Sequence, residues 1–218
     1  MIIPVKPWRS LLLVGPTGSG KSPLGSELER RGLYGRRCVH FDFGANLRSI
    51  AADPGTWPDL TAEEVADIRD SLATGALFED RDRPMVIKIL EAFLKERAVA
   101  ERDLLVLNGL PRHRDQAEGL AGIIAVEAVV ELDADETVVR ARMRLDPDGD
   151  RAGRADDAPG AVERRLAEYR ARTCPLIDHF IEQGAGILVI PVTATMTAGE
   201  MFDRLAALWT EDAGRFSC

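Results

Sequence analysis

The sequence has few of the features that mark secreted or membrane proteins. It contains three cysteines in 218 residues, and Cys38, Cys174 and Cys218 are too far apart to follow a metal-binding pattern. We therefore expect a reduced, cytoplasmic protein with incidental thiols. Residues 1–14 show no cleavable signal-peptide pattern, and no run approaches the roughly 18 apolar residues of a membrane span.

The chain also lacks an excess of basic residues. It has 28 Lys and Arg against 36 Asp and Glu, a formal net charge of −8. General nucleic-acid binding needs the opposite charge, so we expect no nucleic-acid partner and infer that the arginines serve local sites. The three histidines follow no metal-binding spacing. The length suits a single α/β domain over residues 1–218, which we expect to be monomeric.

The strongest motif follows the apolar run Leu11–Val14 directly. It is a complete G-x-x-x-x-G-K-S P-loop made of Gly15, Pro16, Thr17, Gly18, Ser19, Gly20, Lys21 and Ser22. Its glycines let backbone N–H groups converge on a polyphosphate, and the next helix adds partial positive charge. Lys21 can reach the β- and γ-phosphates, and Ser22 can offer its hydroxyl to Mg²⁺. Strand, loop and helix in this order predict binding of a nucleoside triphosphate.

Short apolar runs alternate with helical patterns along the rest of the chain. Five runs are typical of buried parallel strands: Leu11–Val14, Cys38–Phe41, Leu104–Leu107, Val126–Leu132 and Ile187–Val192. Between them the spacing predicts helices, including one from Asp135 and one that Pro175 interrupts near Thr173. The predicted fold class is α/β, with a five-stranded, parallel, doubly wound sheet and ligands at the strand carboxyl ends.

Two segments do not belong to the predicted sheet. Residues 43–80 exceed one crossover and contain two short amphipathic helices, around Asn46–Ala51 and Ala62–Leu72. Residues 146–160 are polar and rich in Gly and Pro, with arginines between paired aspartates. A disordered linker is one interpretation of the second segment, but a lid that closes over phosphates accounts better for its arginines.

Three further motifs resemble those of the adenylate kinase family of nucleoside monophosphate kinases, over nearly the whole chain. His40–Arg48 is similar to the S-T-G-D-x-L-R segment that opens the monophosphate-binding insertion. Asn108–Arg112 stands where the family has D-G-F-P-R, and Gly153–Asp157 matches its lid motif G-R-x-D-D. The resemblance implies a P-loop kinase fold, with an acceptor-binding insertion over residues 43–80. It implies a short lid over residues 146–160, without a structural metal.

The resemblance also implies roles for individual residues. The implied acceptor-binding residues are Asp42, Gly44, Arg48, Arg112 and Gln116. The residues implied to act on the transferring phosphoryl group are Lys21, Arg112, Arg144, Arg154 and Arg165. Arg140, one helical turn before Arg144, is implied to bind ATP, with Arg142 as the alternative for this pair and Arg151 as a further lid candidate. Guanidinium groups suit such roles because their geometry matches phosphate oxygens.

The sequence departs from the family at three positions around the acceptor and the metal. Phe43 and Ala45 replace the Thr and Asp of S-T-G-D, and Asn108 replaces an Asp that resembles a holder of Mg²⁺ through water. A neutral amide attracts a hydrated divalent ion less strongly. Ser22 follows Lys21 directly, and Asp42 ends the strand that we expect beside the P-loop strand, so these two residues are the candidate Mg²⁺ ligands. Asp42 could instead only cap the following helix.

The resemblance implies an ATP-dependent phosphotransferase whose acceptor is a nucleoside monophosphate. AMP is the first choice, because Gln116 can read an adenine edge. The alternatives are a P-loop kinase for another small molecule and a nucleotide-binding regulatory protein with little transfer activity. The retained Lys21, Arg112, Arg154 and Arg165 argue against a pure binder, which needs no charges arranged for a transition state.

Overall fold

A parallel five-stranded sheet forms the centre of the structure, a computed structural model that describes residues 6–149 and 159–212. Its strands are β1 (Trp8–Val14), β2 (Cys38–Asp42), β3 (Leu104–Asn108), β4 (Ile124–Asp133) and β5 (Gly186–Pro191). Every neighbouring pair is parallel, in the order β2-β3-β1-β4-β5. Each strand lies where the apolar runs predict it, so the predicted fold class is confirmed.

One expectation about neighbouring strands is wrong. The sequence interpretation placed the strand that ends at Asp42 beside the P-loop strand, but β3 lies between β2 and β1. The first crossover carries β2 one strand position beyond β1, and β3 returns to fill the gap. Phe41 and Leu12 consequently both lie beside Leu107 of β3, from opposite sides.

Helices cover both faces of the sheet. They are α1 (Lys21–Arg31), α2 (Phe43–Ala52), α3 (Ala62–Thr74), α4 (Arg83–Glu96), α5 (Arg114–Leu120), α6 (Glu136–Leu145), α7 (Pro159–Glu168), α8 (Cys174–Glu182) and α9 (Ala198–Asp212). Single 3-10 turns lie at Pro54–Thr56 and Asp80–Asp82. A π-helical turn over Tyr169–Thr173 joins α7 to α8 and forms the predicted interruption before Pro175. Within residues 6–149 and 159–212, no helix combines the length and hydropathy needed to cross a membrane.

The helix ends follow from local chemistry. The helix predicted from Asp135 is present as α6, and the Asp135 side chain caps it by accepting a hydrogen bond from the N–H of Val138 at 2.8 Å. Thr61 and Glu64 form a reciprocal capping box at the start of α3. The two helices predicted within residues 43–80 are present as α2 and α3, and their role in binding an acceptor stays a prediction.

Alternate residues of the strands supply two apolar cores. Leu12 and Val14 face a core shared with α2, α3, α4, α5 and α8, whereas Leu11 and Leu13 face one covered by α1 and α9. Val65 and Ile68 of α3 belong to the first core. The helices after β2 are therefore packed onto the sheet rather than standing away from it.

Helix α1 approaches β2 closely at Gly25. A Cβ atom at this position would lie 2.2 Å from Nε2 of His40. His40 is buried, burial lowers the pKa of its imidazole, and its backbone N–H donates to Glu29 Oε1 at 3.1 Å. The close approach brings the beginning of α1 to the end of β2, where Ser22 meets Asp42.

We expect Gly25→Ala to lower the free energy of unfolding by about 1–3 kcal/mol, because the added methyl group meets a buried ring. Urea denaturation measures this change. Gly122→Ala is the matched control, since a Cβ there has nothing within 4 Å. The double variant Gly25→Ala/His40→Ala should recover stability relative to Gly25→Ala alone. Equal stability of Gly25→Ala and Gly122→Ala would contradict the close contact.

Candidate active site

A cavity of about 210 Å³ lies at the carboxyl ends of β1, β2 and β3. The P-loop, the start of α2, the end of α3 and the connection after β3 form its walls. Most of the predicted site residues line it: Gly15, Thr17, Gly18, Gly20, Lys21, Ser22, Asp42, Gly44, Arg48, Arg112, Gln116 and Arg165. The chain thus brings the predicted donor and acceptor residues to one continuous space.

The P-loop conformation depends on glycines. Gly15 and Gly20 have φ angles of 154° and 102°, which other residues rarely adopt. A Cβ at Gly15 would lie 2.7 Å from Ser19 Oγ and 2.8 Å from the carbonyl oxygen of Leu132. The N–H of Ser19 closes the loop by donating to the carbonyl of Pro16 at 3.2 Å. The loop is therefore tightly wound at the start of α1, where a phosphate can meet backbone N–H groups.

Lys21 lies across the P-loop. Its Nζ donates to the carbonyls of Gly15 at 2.7 Å and Pro16 at 2.8 Å. The ammonium group is held at the N-terminus of α1, whose dipole also favours an anion. An anion bound to the loop would therefore meet a charged side chain as well as backbone donors.

Ser22, Asp42 and Asn108 form a polar group that we call the strand-end cluster. Ser22 Oγ donates to Asp42 Oδ2 at 2.5 Å, and Asn108 Nδ2 donates to the same oxygen at 2.9 Å and to Ser22 Oγ at 3.0 Å. The other oxygen, Oδ1, accepts from the N–H of Ala45 at 2.9 Å and caps α2. The capping contact is present, but it uses one oxygen of Asp42 and leaves the second directed at Ser22.

The strand-end cluster fits a Mg²⁺ ion that is shared with a nucleotide. It offers a hydroxyl, a carboxylate and an amide, and oxygen atoms are the ligands that Mg²⁺ prefers. It contains one carboxylate, and the described residues hold no group of three or more His, Cys, Asp and Glu placed to bind a metal. Such a site suits an ion that keeps several waters and also binds phosphates, as Mg²⁺ commonly does.

Three of the predicted arginines line the cavity: Arg48, Arg112 and Arg165. In the part of the chain that the structure describes, the guanidinium groups of Arg48 and Arg112 make no hydrogen bond or ion pair. Burial, with the charge of Arg165 beside it, lowers the pKa of Arg112 to about 10, and Glu168 offsets this in part. Arg112 thus remains protonated at neutral pH. Arg48 and Arg112 bring positive charge to the cavity without an ion pair among the described residues, which indicates a site for an anion.

Gln116 is anchored to the backbone next to Arg112. Its Oε1 accepts from the N–H of Arg112 and its Nε2 donates to the carbonyl of Phe78, both at 2.8 Å. Each of these amide atoms has one further bonding position, so the side chain can still meet a ligand. The rings of Phe43 and Phe78 pack edge to face, with their centroids 5.8 Å apart, and form an aromatic wall of the cavity.

Two predicted donor-side arginines lie away from the cavity lining. Arg140 pairs with Glu136 at 2.8 Å and with Glu163 at 2.9 Å, and Arg144 is exposed. Their proposed roles stay predictions. Arg151 and Arg154 lie outside the described residues, as does most of the segment 146–160.

Arg142, the alternative to this pair, does line the cavity. It is buried, and its Nη1 donates to the carbonyls of Thr193 at 2.9 Å and Met196 at 2.6 Å. Its Nη2 pairs with Asp148 at 3.2 Å. The sequence could not show that Arg142 faces the cavity. Spacing shows which residues share a face of α6, but not the direction in which that face points.

Sequence reasoning missed Thr173 and Phe78, which also line the cavity. Thr173 could have been found, because it stands two residues before Pro175. A proline interrupts the helical hydrogen bonds, so backbone groups near it need other partners. Phe78 has no such signal: it lies in an irregular segment after α3 and is buried.

Comparison with known proteins agrees with this geometry. A family model described as AAA domain matches residues 14–163. The adenylate kinase of Stenotrophomonas maltophilia (strain K279a) is 34% identical over 181 residues, covering 80% of this chain and 86% of that enzyme. The adenylate kinase of Xylella fastidiosa (strain M12) is 30% identical over 201 residues, covering 90% and 96%. The chain belongs to the adenylate kinase family. It is accordingly an ATP-dependent phosphotransferase of the nucleoside monophosphate kinase type.

Two solved structures share the fold at low identity. An unliganded sugar kinase from Janibacter sp. HTCC2649 has a TM-score of 0.52 and 16% identity, covering 97% of this chain and 100% of that one. A gluconokinase from Sinorhizobium meliloti 1021 has a TM-score of 0.52 and 19% identity, covering 96% and 95%. These similarities support the kinase fold and leave the acceptor open.

We expect Arg112→Met to stabilise the ligand-free protein by about 1 kcal/mol, raising its Tm by roughly 2–4 °C. The pKa of Arg112 is lowered in the folded protein, so its charged form destabilises the fold at every pH below about 10. Thermal unfolding at pH 7 measures the change. Arg30→Met is the control, because Arg30 is exposed and paired with Glu27 at 2.6 Å. A lower Tm for Arg112→Met than for Arg30→Met would contradict this account.

Proposed function

We propose that the protein transfers the γ-phosphoryl group of ATP to AMP and forms two molecules of ADP. The observation that carries this proposal is the pair Arg48 and Arg112. Both residues line the same cavity as the P-loop, and their guanidinium groups form no ion pair with the described residues. An acceptor that carries phosphate would supply the missing negative charge.

The reaction needs positioning and charge neutralisation more than covalent chemistry. An oxygen of the AMP phosphate attacks the γ-phosphorus, and the bond between this phosphorus and the β–γ bridging oxygen breaks. Lys21 and Arg165 are proposed to neutralise charge on the transferring group, with Arg154 joining them from the 146–160 lid. The attacking phosphate is already ionised at neutral pH, so no general base is required.

The acceptor is proposed to bind under residues 43–80. Arg48 and Arg112 would hold its phosphate, with Asp42 and Gly44 lining the same end. Gln116 would face the base of the acceptor. Its Oε1 can accept one more hydrogen bond and its Nε2 can donate one more. The site is built within one chain, which suits a monomer, and a nucleotide substrate suits the cytoplasm.

Ser22 and Asp42 are proposed to be the residues that would hold the Mg²⁺ ion accompanying the nucleotide. When bound, the ion would neutralise part of the phosphate charge. The protein's contribution would be orientation, because the strand-end cluster already holds the two oxygen atoms together.

A second candidate is a P-loop kinase for a small polyhydroxy acid. Asn108 in place of the family's Asp favours it, as do the gluconokinase and sugar kinase among the structural neighbours. A carboxylate-bearing acceptor would also satisfy Arg48 and Arg112. Such an acceptor reacts through a hydroxyl group and would need a base, for which Asp42 is the cavity carboxylate nearest the P-loop serine.

An acceptor panel separates these functions. ADP formation from ATP is measured with AMP, GMP, CMP, UMP and gluconate, using Lys21→Ala as the inactive control. We expect AMP to be the preferred acceptor, Lys21→Ala to lose activity on the order of 10²-fold or more, and Gln116→Ala to reduce the preference for AMP over GMP. Transfer to gluconate alone would favour the second candidate. ATP binding without transfer to any acceptor would indicate a regulatory protein.

We expect Ser22→Ala and Asp42→Asn each to raise the Mg²⁺ concentration needed for half-maximal activity by about tenfold or more, as loss of one charge-assisted contact implies. The double variant should be less than additive, because both residues act on one ion. Asn108→Asp should be tolerated or mildly activating. Activity is titrated with Mg²⁺ at fixed ATP.

Asp135→Asn is the control for this titration. Asp135 also caps a helix through its carboxylate, but it does not line the cavity. Asn is itself a good N-cap, so Asp42→Asn retains the cap on α2 while it removes the charge. An unchanged Mg²⁺ midpoint in both single variants would mean that ATP and water alone hold the ion.

A further inference from the structure

The π-helical turn Tyr169–Thr173 has a clear origin in the sequence. The N–H of Cys174 donates to the carbonyl of Tyr169, five residues earlier, instead of four. Pro175 follows and has no N–H with which to continue the α-helical pattern. One wider turn therefore separates α7 from α8, and such turns often occur at functional sites.

This turn directs Thr173 to the same side of the helix as Arg165 and Tyr169. All three residues line the cavity and follow one another at intervals of four. In an α-helix, four residues turn about 40° more than a full circle. Two such intervals would leave Thr173 about 80° from Arg165 around the helix axis. The larger number of residues per turn in the π-helical segment reverses this drift.

Thr173 holds the main chain of Arg112. It is 6% exposed, and its Oγ1 donates to the carbonyl of Arg112 at 2.9 Å. On the other side, the N–H of Arg112 donates to Gln116 Oε1 at 2.8 Å. The guanidinium of Arg112 has no ion-pair partner in the described residues, and these two backbone hydrogen bonds fix its main chain beside the cavity.

A second contact attaches the same turn to the acceptor side. Arg172 forms a two-point ion pair with Glu79, with Nη2 3.0 Å from Oε2, and this pairing lowers the pKa of Glu79. Glu79 follows Phe78, whose carbonyl accepts from Gln116. The π-helical turn thus contacts two segments at the cavity: the one that carries Phe78 and Glu79, and the one that carries Arg112.

We propose that Thr173 is a positioning residue that holds Arg112, beside Arg165, where it can bind the phosphate of the acceptor. It acts through the Arg112 carbonyl and needs no contact with substrate. This proposal rests on the proposed function, because it requires an acceptor that carries phosphate.

The test compares Thr173→Val, which is close in shape but lacks the hydroxyl, with Thr173→Ser, which retains it. The acceptor is the best nucleoside monophosphate for the wild-type protein. We expect Thr173→Val to raise the KM for this acceptor by about tenfold, the upper range for one neutral hydrogen bond, with the KM for ATP within about twofold. Thr173→Ser should restore most of the loss. Thr173→Ala replaces the Val variant if that protein does not fold.

Ser10→Ala is the matched control. Ser10 is fully buried, its Oγ donates to the carbonyl of Trp8 at 2.8 Å, and it does not line the cavity. It should lose stability without changing the KM for the acceptor. An unchanged acceptor KM in Thr173→Val, an equal rise in both KM values, or no rescue by Ser would overturn this proposal alone. A wild-type protein that uses no nucleoside monophosphate would overturn the proposed function as well.

Discussion

Uncompensated positive charge around one cavity is the constraint on which the rest of the site depends. Arg48 and Arg112 face the cavity without an ion-pair partner in the described residues, and Arg165 lies close enough to lower the pKa of Arg112. Ordinary ion pairs would stabilise the empty protein but would compete with a phosphate-bearing ligand. The fold instead holds Arg112 through hydrogen bonds of its backbone, so that a ligand can supply the negative charge.

The sheet order explains how segments that are distant in the sequence meet at this cavity. Because β3 lies between β1 and β2, the end of β3 places Asn108 between the P-loop and Asp42. Helix α1 then passes close over β2 at Gly25 and brings Ser22 to Asp42. The Asp42 carboxylate thereby joins the start of α1, the first turn of α2 and the end of β3. This contact connects the segments that are predicted to bind the donor and the acceptor.

Much of this could be predicted from sequence, because apolar runs between turn signals and the P-loop spacing are local patterns. The five strands, the cap at Asp135 and the interruption before Pro175 are of this kind. Which strands lie side by side is not a local property of the sequence, and the prediction that β2 lies directly beside β1 was therefore wrong. The same limit applies to Gln116, Arg142 and Thr173, since spacing does not reveal which backbone groups a side chain meets after folding.

The central claim is that one cavity passes a phosphoryl group between two nucleotides. The most direct measurement supplies ADP as the sole nucleotide, with Mg²⁺, and follows the products by ³¹P NMR. We expect two ADP to give one ATP and one AMP, in equal amounts, and Lys21→Ala to form neither at a comparable rate. ADP that stays unchanged with the wild-type protein, or that is only hydrolysed to AMP and phosphate, would contradict the claim.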